Sequence, residues 1–562
     1  MTGGVSGRPE GGEVFDVAVV GSGFAGSILA RALRARGLAV ALLERGRHPR
    51  FALGESTTPL ANLALERLAV RYGLPDLWEL AAHGRWLESL PGVRRGLKRG
   101  FTFYRQPTAA PFDPSPGGRL LVAASPREEV ADTHWLRADV DRFLVERAVA
   151  EGVVYRDQVE TELLEVGEWG AELALGPPGS TRARRERLRC RFLLDASGAG
   201  GFLARALGLP AHPTPMRFAS RLLFSHFEGV PPFAEIEPAV DRDRDPYPAD
   251  WAAVHHLLDV GWMYQLRFDD GSTSAGLLVD PQRASALGLD IPWSTPEAAW
   301  AMLVARHPSL ARQLRAARPL RPIATSDGAI QRRLARAAGA RWALLPQAFA
   351  SFDALFSTGI AWSLLAVERL AAVLGATDDS GLARGEPVGL SAYDERLRLE
   401  ADQLERLLTL GYRHLDDFDR FAWTSLLYFA LVSFAETRQR MLEPDVDASC
   451  RVDGLEPAWA WEGFLGALDP GAVGLLDGAL ERSAQTLGEY REWVRAAIDE
   501  RNVAGLGDPA RHPYYPADPE LVVAAASRLG LERDEARRRL PLLLGARRFP
   551  GTGGGPARAG TW

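Results

Sequence analysis

Residues 15–44 read FDVAVVGSGFAGSILARALRARGLAVALLE, and this stretch decides the fold. Phe15 to Val20 is a short apolar run rich in valine, as a buried strand requires. Gly21-Ser22-Gly23-Phe24-Ala25-Gly26 follows at once, then the amphipathic helix pattern SILARALRARG, then a second strand, LAVALL, closed by Glu44. Strand, G-x-G-x-x-G, helix, strand and acid in that order specify a dinucleotide-binding unit. Gly21 permits the tight turn, Gly23 lets the backbone approach a pyrophosphate, and Gly26 lets the helix pack on the strand. The helix start at Phe24 and Ala25 offers free N–H groups and a partial positive charge to the phosphates. Glu44, 18 residues past Gly26, is the acceptor for the adenosine ribose hydroxyls, with Arg45 beside it.

Two later segments choose between NAD and FAD. Leu193 to Phe202 (LLDASGAGGF) is a hydrophobic strand, an aspartate and a small-residue turn. Ala343 to Leu365 (ALLPQAFASFDALFSTGIAWSLL) is a strand, a loop and a second helix opening at Ser357-Thr358-Gly359. A second phosphate-type loop entering a second helix suits a cofactor with two polar regions, and FAD has a ribityl chain and flavin carbonyls to hold. The fold expected is α/β: a Rossmann-type FAD-binding unit over 14–375, with an antiparallel substrate-side sheet at about 210–335. The RLLFSHFEGV and GWMYQLRFDDGSTSAGLLVD runs supply that sheet's alternation and turns. A helical region follows over 376–550, where apolar residues recur at helical spacing. Its aromatics (Tyr412, Phe418, Phe421, Trp423, Tyr428, Phe429) read as core in preference to pocket lining. Disordered ends are expected at 1–13 and 551–562, both Gly-rich and polar.

The totals narrow the function. A net charge of −6 and the absence of basic runs interleaved with aromatics argue against nucleic acid. Cys190 and Cys450, the only cysteines, rule out a disulfide framework and a cysteine-based zinc site. His255-His256 lacks a third ligand at metal spacing, so no metal is expected. The start MTGGVSGRPEGGE has no apolar core of a signal peptide, and no apolar run is long enough for a membrane span. A cytoplasmic protein is expected.

One composition anomaly marks a residue. Of 66 basic residues, Lys98, in GVRRGLKRGFTFYR, is the only lysine. Arginine stays protonated, whereas a lysine amine loses its proton when desolvated. The single lysine kept by an arginine-biased chain is a candidate for chemistry that arginine cannot perform.

The GSGFAG fingerprint, Gly54-Glu55-Ser56 with the following Thr57-Thr58-Pro59, the KRGFTF stretch at Lys98 and the DALFSTGI loop from Asp353 to Ile360 resemble the flavin-dependent halogenases. HWLRADVDRFL, from His134 to Leu144, is similar to the helix that contacts FAD in that family through an arginine, here Arg137, with Asp141 in the acidic place. The resemblance implies an enzyme in which reduced FAD (FADH2), O2 and halide give hypohalous acid, which a lysine delivers to an aromatic ring; Lys98 matches that lysine. It implies cofactor contacts from Gly21, Gly23, Phe24, Ala25, Gly26, Glu44, Arg45, Glu55, Ser56, Thr57, Arg137, Gln347, Asp353, Gly359 and Ile360, and a halide site at Ser357, Thr358 and Gly359. An ordinary N-cap is the other reading of Ser357-Thr358.

Three positions depart from the family. Its W-x-W-x-I-P strand is here Trp262-Met263-Tyr264-Gln265-Leu266-Arg267, its Gly-Asp is Pro346-Gln347, and the glutamate that tryptophan halogenases place before Ser-Thr-Gly is Phe356. The pattern is closer to members acting on phenols or pyrroles, which are electron-rich. The expected substrate is a small aromatic, free or tethered to a carrier protein. No second dinucleotide fingerprint is present, so a separate NAD(P)H-dependent flavin reductase is expected to supply FADH2. The rival expectation is an FAD-dependent monooxygenase of the same fold that does not halogenate, which the altered tryptophan motif favours. A retired, non-catalytic flavoprotein-like subunit is a third reading, for which only Pro346-Gln347 speaks.

Overall fold

A computed structural model of the chain describes residues 13–180, 185–375, 389–442, 470–545 and 549. In chain order, the elements that build the site are β1 (Glu13–Val20), α1 (Phe24–Ala35), β2 (Val40–Leu43), α2 (Pro59–Tyr72), β3 (Arg95–Lys98), β4 (Gly100–Arg105), β5 (Arg119–Ala123), β6 (Asp132–Trp135) and α3 (Arg137–Ala150). Strands β7 (Val154–Arg156), β8 (Glu160–Gly167), β9 (Gly170–Gly176), β10 (Glu186–Asp195), β11 (Arg221–Glu228), β12 (Ala253–Leu258), β13 (Gly261–Arg267), β14 (Thr273–Val279) and β15 (Trp342–Leu344) follow. Then come α4 (Gly359–Gly375), α5 (Leu390–Arg413), α6 (Phe418–Leu442) and a two-residue strand, β16 (Tyr514–Tyr515).

The expected unit at the N-terminus is present. Strands β15, β10, β1, β2 and β7 lie side by side in parallel, with Val17 paired to Val40 and Val20 to Asp195. Parallel strands buried on both faces need continuous apolar runs, and Val17 to Val20 and Val40 to Leu43 are all buried. The β8–β9 hairpin extends this sheet antiparallel to β10. Two glycines are fixed by contact. A Cβ on Gly26 would stand 2.1 Å from the Gly21 carbonyl oxygen, and one on Gly21 (φ +109°) would stand 2.4 Å from that of Ala196.

The second sheet runs β11–β14–β13–β12–β4–β5–β16. It is wider than the 210–335 expected. Strands β4 and β5 join it from the segment after Lys98, β4 parallel to β12, and β16 enters from the C-terminal part, parallel to β5. Sequence distance hid these pairings, because alternation identifies strands but not their partners. The helical region is therefore sewn into the substrate-side sheet through Tyr514 and Tyr515.

Helix α4 is apolar on all sides and buried from Ile360 to Leu374, as a helix through the centre of a molecule must be. Its two interior charges are paired: Glu368 accepts from Arg67 at 2.7 Å, and Arg369 donates to Glu400 at 2.7 Å. The expected disordered ends, apart from Glu13, which opens β1, lie outside the described residues, as does Cys450. Cys190 is buried on β10. Among the described residues no helix is long and apolar enough to cross a membrane.

Candidate active site

The glycine loop between β1 and α1 is ringed by groups suited to a dinucleotide. A Cβ added at Gly23 would stand 3.5 Å from Arg137 Nη2 and 3.7 Å from Arg50 Nη2, so the bare Cα of Gly23 faces two guanidinium groups. This is a cradle for a diphosphate, with the α1 N-terminus beside it. Arg137 also stacks on Phe24, 4.7 Å from its ring, pairs with Asp141 through two bonds of 2.9 Å, and donates to the Leu53 and Gly54 carbonyls at 2.5 and 3.1 Å. Asp141 in turn accepts from the Phe24 N–H at 3.1 Å. Ala25 follows Phe24 in that first turn.

Glu44 sits at the end of β2 and accepts from the Ser22 N–H and hydroxyl at 3.0 Å each and from the Gly46 N–H at 2.8 Å. Burial works to raise its pKa, but Arg50 and the N–H groups of Gly46 and Ser22 outweigh it and hold the carboxyl below its ordinary value. Arg45 is exposed, and Arg50 is the arginine turned to the loop. Arg50 is a residue that the spacing rule missed. His48, with Nε2 2.8 Å from the Ser22 hydroxyl, was missed as well.

The Gly54-Glu55-Ser56-Thr57 turn lies against β6. Glu55 is buried and meets His226 Nε2 at 2.8 Å, and the Thr57 hydroxyl bonds the Thr133 backbone. The Ser56 hydroxyl is buried with no partner among the described residues, an open polar atom where a cofactor would need one. Together with the cradle at Gly23, this donor set fits FAD.

The second loop is organised by Asp353. Its fully enclosed carboxylate accepts from Ser220 Oγ (2.9 Å), Tyr412 Oη (2.5 Å), Trp262 Nε1 (3.1 Å) and the Leu355 N–H (3.0 Å). Burial pushes its pKa up to about 6, against the pull of those four donors. The acceptors of Asp353 are thus taken by protein, and the carboxylate holds the loop rather than reaching for the flavin. Ser357 adopts φ +53°, a left-handed conformation that a side chain resists. The Thr358 carbonyl accepts from the Trp362 N–H at 3.0 Å, which opens α4. The N–H groups of Gly359 and Ile360 fall in the first turn, where a helix supplies no acceptor. Neither the Ser357 nor the Thr358 hydroxyl bonds another described residue, so the N-cap reading is not what the hydroxyls do. Gln347 turns its amide to the same loop: a Cβ on Gly359 would lie 3.4 Å from Gln347 Nε2.

Lys98 ends β3, opposite Asp132 of β6 in the ladder, and is fully buried. Its Nζ donates to the Thr57 carbonyl at 2.5 Å and stands 4.0 Å over the Phe101 ring. Burial pushes the ammonium pKa well below the usual lysine range, with Asp132 pulling in the other direction. A layer of aromatic rings joins this lysine to the Asp353 loop. Phe101 packs on His255 (5.8 Å), His255 stacks on Trp262 (5.1 Å), and Trp262 donates to Asp353. His255 and His256 are buried, held by desolvation at pKa values of about 3, and serve here as neutral rings. No cluster of three potential metal ligands occurs among the described residues.

Beside Phe101 lies an apolar cavity of about 160 Å³, walled by Thr58, Tyr428, Phe429, Val432, Val503 and Tyr515 among others. Lys98 is not in its wall; Phe101 is the surface that the lysine and the cavity share. Tyr428 and Phe429 are part of the core, as read from sequence, and also line the cavity. Tyr412 clasps Asp353, and Phe418, Phe421 and Trp423 pack in the core. Helical spacing of apolar residues looks the same for a core face and a pocket wall, which is why the sequence could not separate them.

Residues 19–74 match the NAD(P)-binding Rossmann-like domain family. The chain is 31% identical over 375 residues to tetracycline 7-halogenase of Kitasatospora aureofaciens, covering 64% of this chain and 65% of that one. It is 28% identical over 432 residues to the monodechloroaminopyrrolnitrin halogenase PrnC of Pseudomonas fluorescens, covering 74% and 69%. The match thus spans about two thirds of the length of these relatives. The crystal structure of halogenase PltM with phloroglucinol and FAD superposes with a TM-score of 0.78 at 22% identity, over 89% of this chain and 99% of that one, which is a likeness of fold. Fold and site together define a flavoprotein-type architecture, a Rossmann-type unit suited to FAD joined to a substrate-side sheet. More narrowly, the chain is similar to the flavin-dependent halogenases. The rival monooxygenase reading gains nothing from these relatives.

Proposed function

We propose that the protein is a cytoplasmic FAD-dependent halogenase acting on an electron-rich aromatic, a phenol or pyrrole, free or carrier-tethered. The observation that carries the reading is Lys98. The chain's one lysine is fully buried and desolvated, against a ring that also walls an apolar cavity of aromatic size. Bound as FADH2, the cofactor supplies hypohalous acid from O2 and halide. The chain's own residues do the rest. Gly23, Arg50 and Arg137 hold the diphosphate, and Ser56 and Gln347 offer polar atoms to the cofactor. The backbone N–H groups at Gly359 and Ile360, with the Ser357 and Thr358 hydroxyls, offer a halide a small anion site. Lys98 receives the hypohalous acid at Nζ and aims its halogen toward the cavity, with the Phe101 side chain that separates the two turning aside to admit the aromatic ring. The apolar walls exclude the water that would consume it.

The cavity assignment has its own test. Val432→Trp fills the space between α6 and Phe101, so halogenation of a phenol shows KM raised about tenfold or more with FAD affinity unchanged; an unchanged KM contradicts the assignment. A separate flavin reductase is the electron source in this reading. Anaerobic NADPH added to the FAD-loaded protein leaves the flavin absorbance in place, and rapid bleaching would overturn the two-protein scheme. The reading as a whole is tested by supplying FAD, a reductase, NADH, O2 and bromide with an electron-rich phenol, and looking for the brominated phenol.

A further inference from the structure

Lys98 can act as an amine only if its proton has somewhere to go. The one hydrogen bond made by Nζ ends on the Thr57 carbonyl, which cannot accept a proton for keeps. The loop before Ser357 offers no free acid, because position 356 is the buried Phe356 and the Asp353 carboxylate is taken up by four donors.

The carboxyl group that stands nearest in the backbone pattern comes from β6. Lys98 and Asp132 are directly opposite in the antiparallel β3–β6 ladder. Opposed residues project from the same face with Cβ atoms about 4.5–5.5 Å apart. Asp132 is 2% exposed. Its Oδ1 accepts from Asn62 Nδ2 at 2.8 Å, and its Oδ2 is buried with no partner among the described residues. An unpaired carboxylate oxygen in so dry a place is costly unless a proton or cation visits it.

The groups facing the pair leave that role to Asp132. On its own strand His134 is neutral, its pKa pushed down to about 3 by burial, and His255 on β12 is neutral for the same reason. On α6, Glu436 and Arg440 act on Asp132 with opposite signs, and Arg440 is itself bonded to Glu66 of α2 and to Glu436.

Building on the halogenase reading, we propose that Asp132 is the positioning carboxylate of Lys98, and that the two share one proton. Nζ and Oδ2 make no direct bond, so the proton passes from Lys98 Nζ to Asp132 Oδ2 through an intervening water, which is left unchanged, giving a neutral amine and a neutral acid. No other bond changes, and the net charge of the buried site stays the same. Desolvation narrows the gap between the two, since it lowers the lysine and raises the aspartate, and so brings the neutral pair within reach of the ion pair. Asn62 sets the balance by its bond to the ionised carboxylate.

The chain's composition supplies the test, because lysine labelled with 13C at Cε gives a single signal from Lys98 in the full-length protein. Asp132→Asn removes the anion and keeps the shape, so the Lys98 signal titrates at least about one pH unit lower than in the wild type. Asn62→Ala removes the bond that favours the ionised carboxylate, so the signal moves in the same direction by less. If Asp132→Asn does not fold, Asn62→Ala decides alone. The limb of the halogenation rate profile that reports Lys98 shifts with the signal. An unchanged Lys98 titration in the variants that fold overturns the proposal, whatever the halogenation assay gives. Loss of halogenation in the wild type with a shifted titration in the variants would instead sink the functional reading and leave the proton pair standing.

Discussion

Lys98→Met and Lys98→Ala abolish halogenation, a fall of about 10³-fold or more, while FAD binds as before. Methionine keeps an unbranched apolar stem out to Cε in a fully buried site, with sulfur in place of the Cδ methylene, and lacks the amine, so the loss reads chemistry more than packing. Lys98→Arg fails too. Its guanidinium stays protonated, and its fork does not fit a place built for one donor to the Thr57 carbonyl. The cofactor cradle at Gly23, Arg50 and Arg137 lies on other elements, so flavin titration is the control. Halogenation by Lys98→Met at a tenth or more of the wild-type rate would contradict the role assigned to the amine.

Asp353→Ala has the second large effect, on stability and on the cofactor together. The carboxylate gathers donors from four separate parts of the chain: Ser220, Trp262 on β13, Leu355 and Tyr412 on α5. Its removal leaves four buried donors unpaired. Each costs about 1–3 kcal/mol, and a whole domain is held by only about 5–15 kcal/mol. A loss of about 3 kcal/mol or more in chemical denaturation is expected, with FAD affinity weakened at least about tenfold, because the same clasp fixes the approach to Ser357. Stability within about 1 kcal/mol of the wild type would mean that the loop is held by something else.

The N-terminal unit was legible because its signal is local. Six residues of glycine loop between two valine-rich strands leave one fold that satisfies them, and β1, α1 and β2 form it. Lys98 was legible for a different reason, its uniqueness among 66 basic residues. What the sequence hid depends on distant segments meeting. Arg50 displaced Arg45 as the loop's arginine because the chain turns back after Glu44. Asp353 looked like a cofactor ligand until Tyr412 and Ser220 closed on it. Tyr428 and Phe429 are core, as read, and also wall a cavity, because nothing in a helical repeat announces that Val503 and Tyr515 stop short of them. Asp132 carried no motif at all, and only the β3–β6 register puts it opposite the lysine.

The most direct test compares wild type and Lys98→Met side by side with FAD, a separate reductase, NADH, O2, bromide and an electron-rich phenol, with products read by mass spectrometry. Brominated phenol from the wild type and none from the variant, at equal rates of flavin oxidation, is the result predicted. Hydroxylated phenol from the wild type, or equal bromination from both proteins, would contradict a halogenase that works through its only lysine.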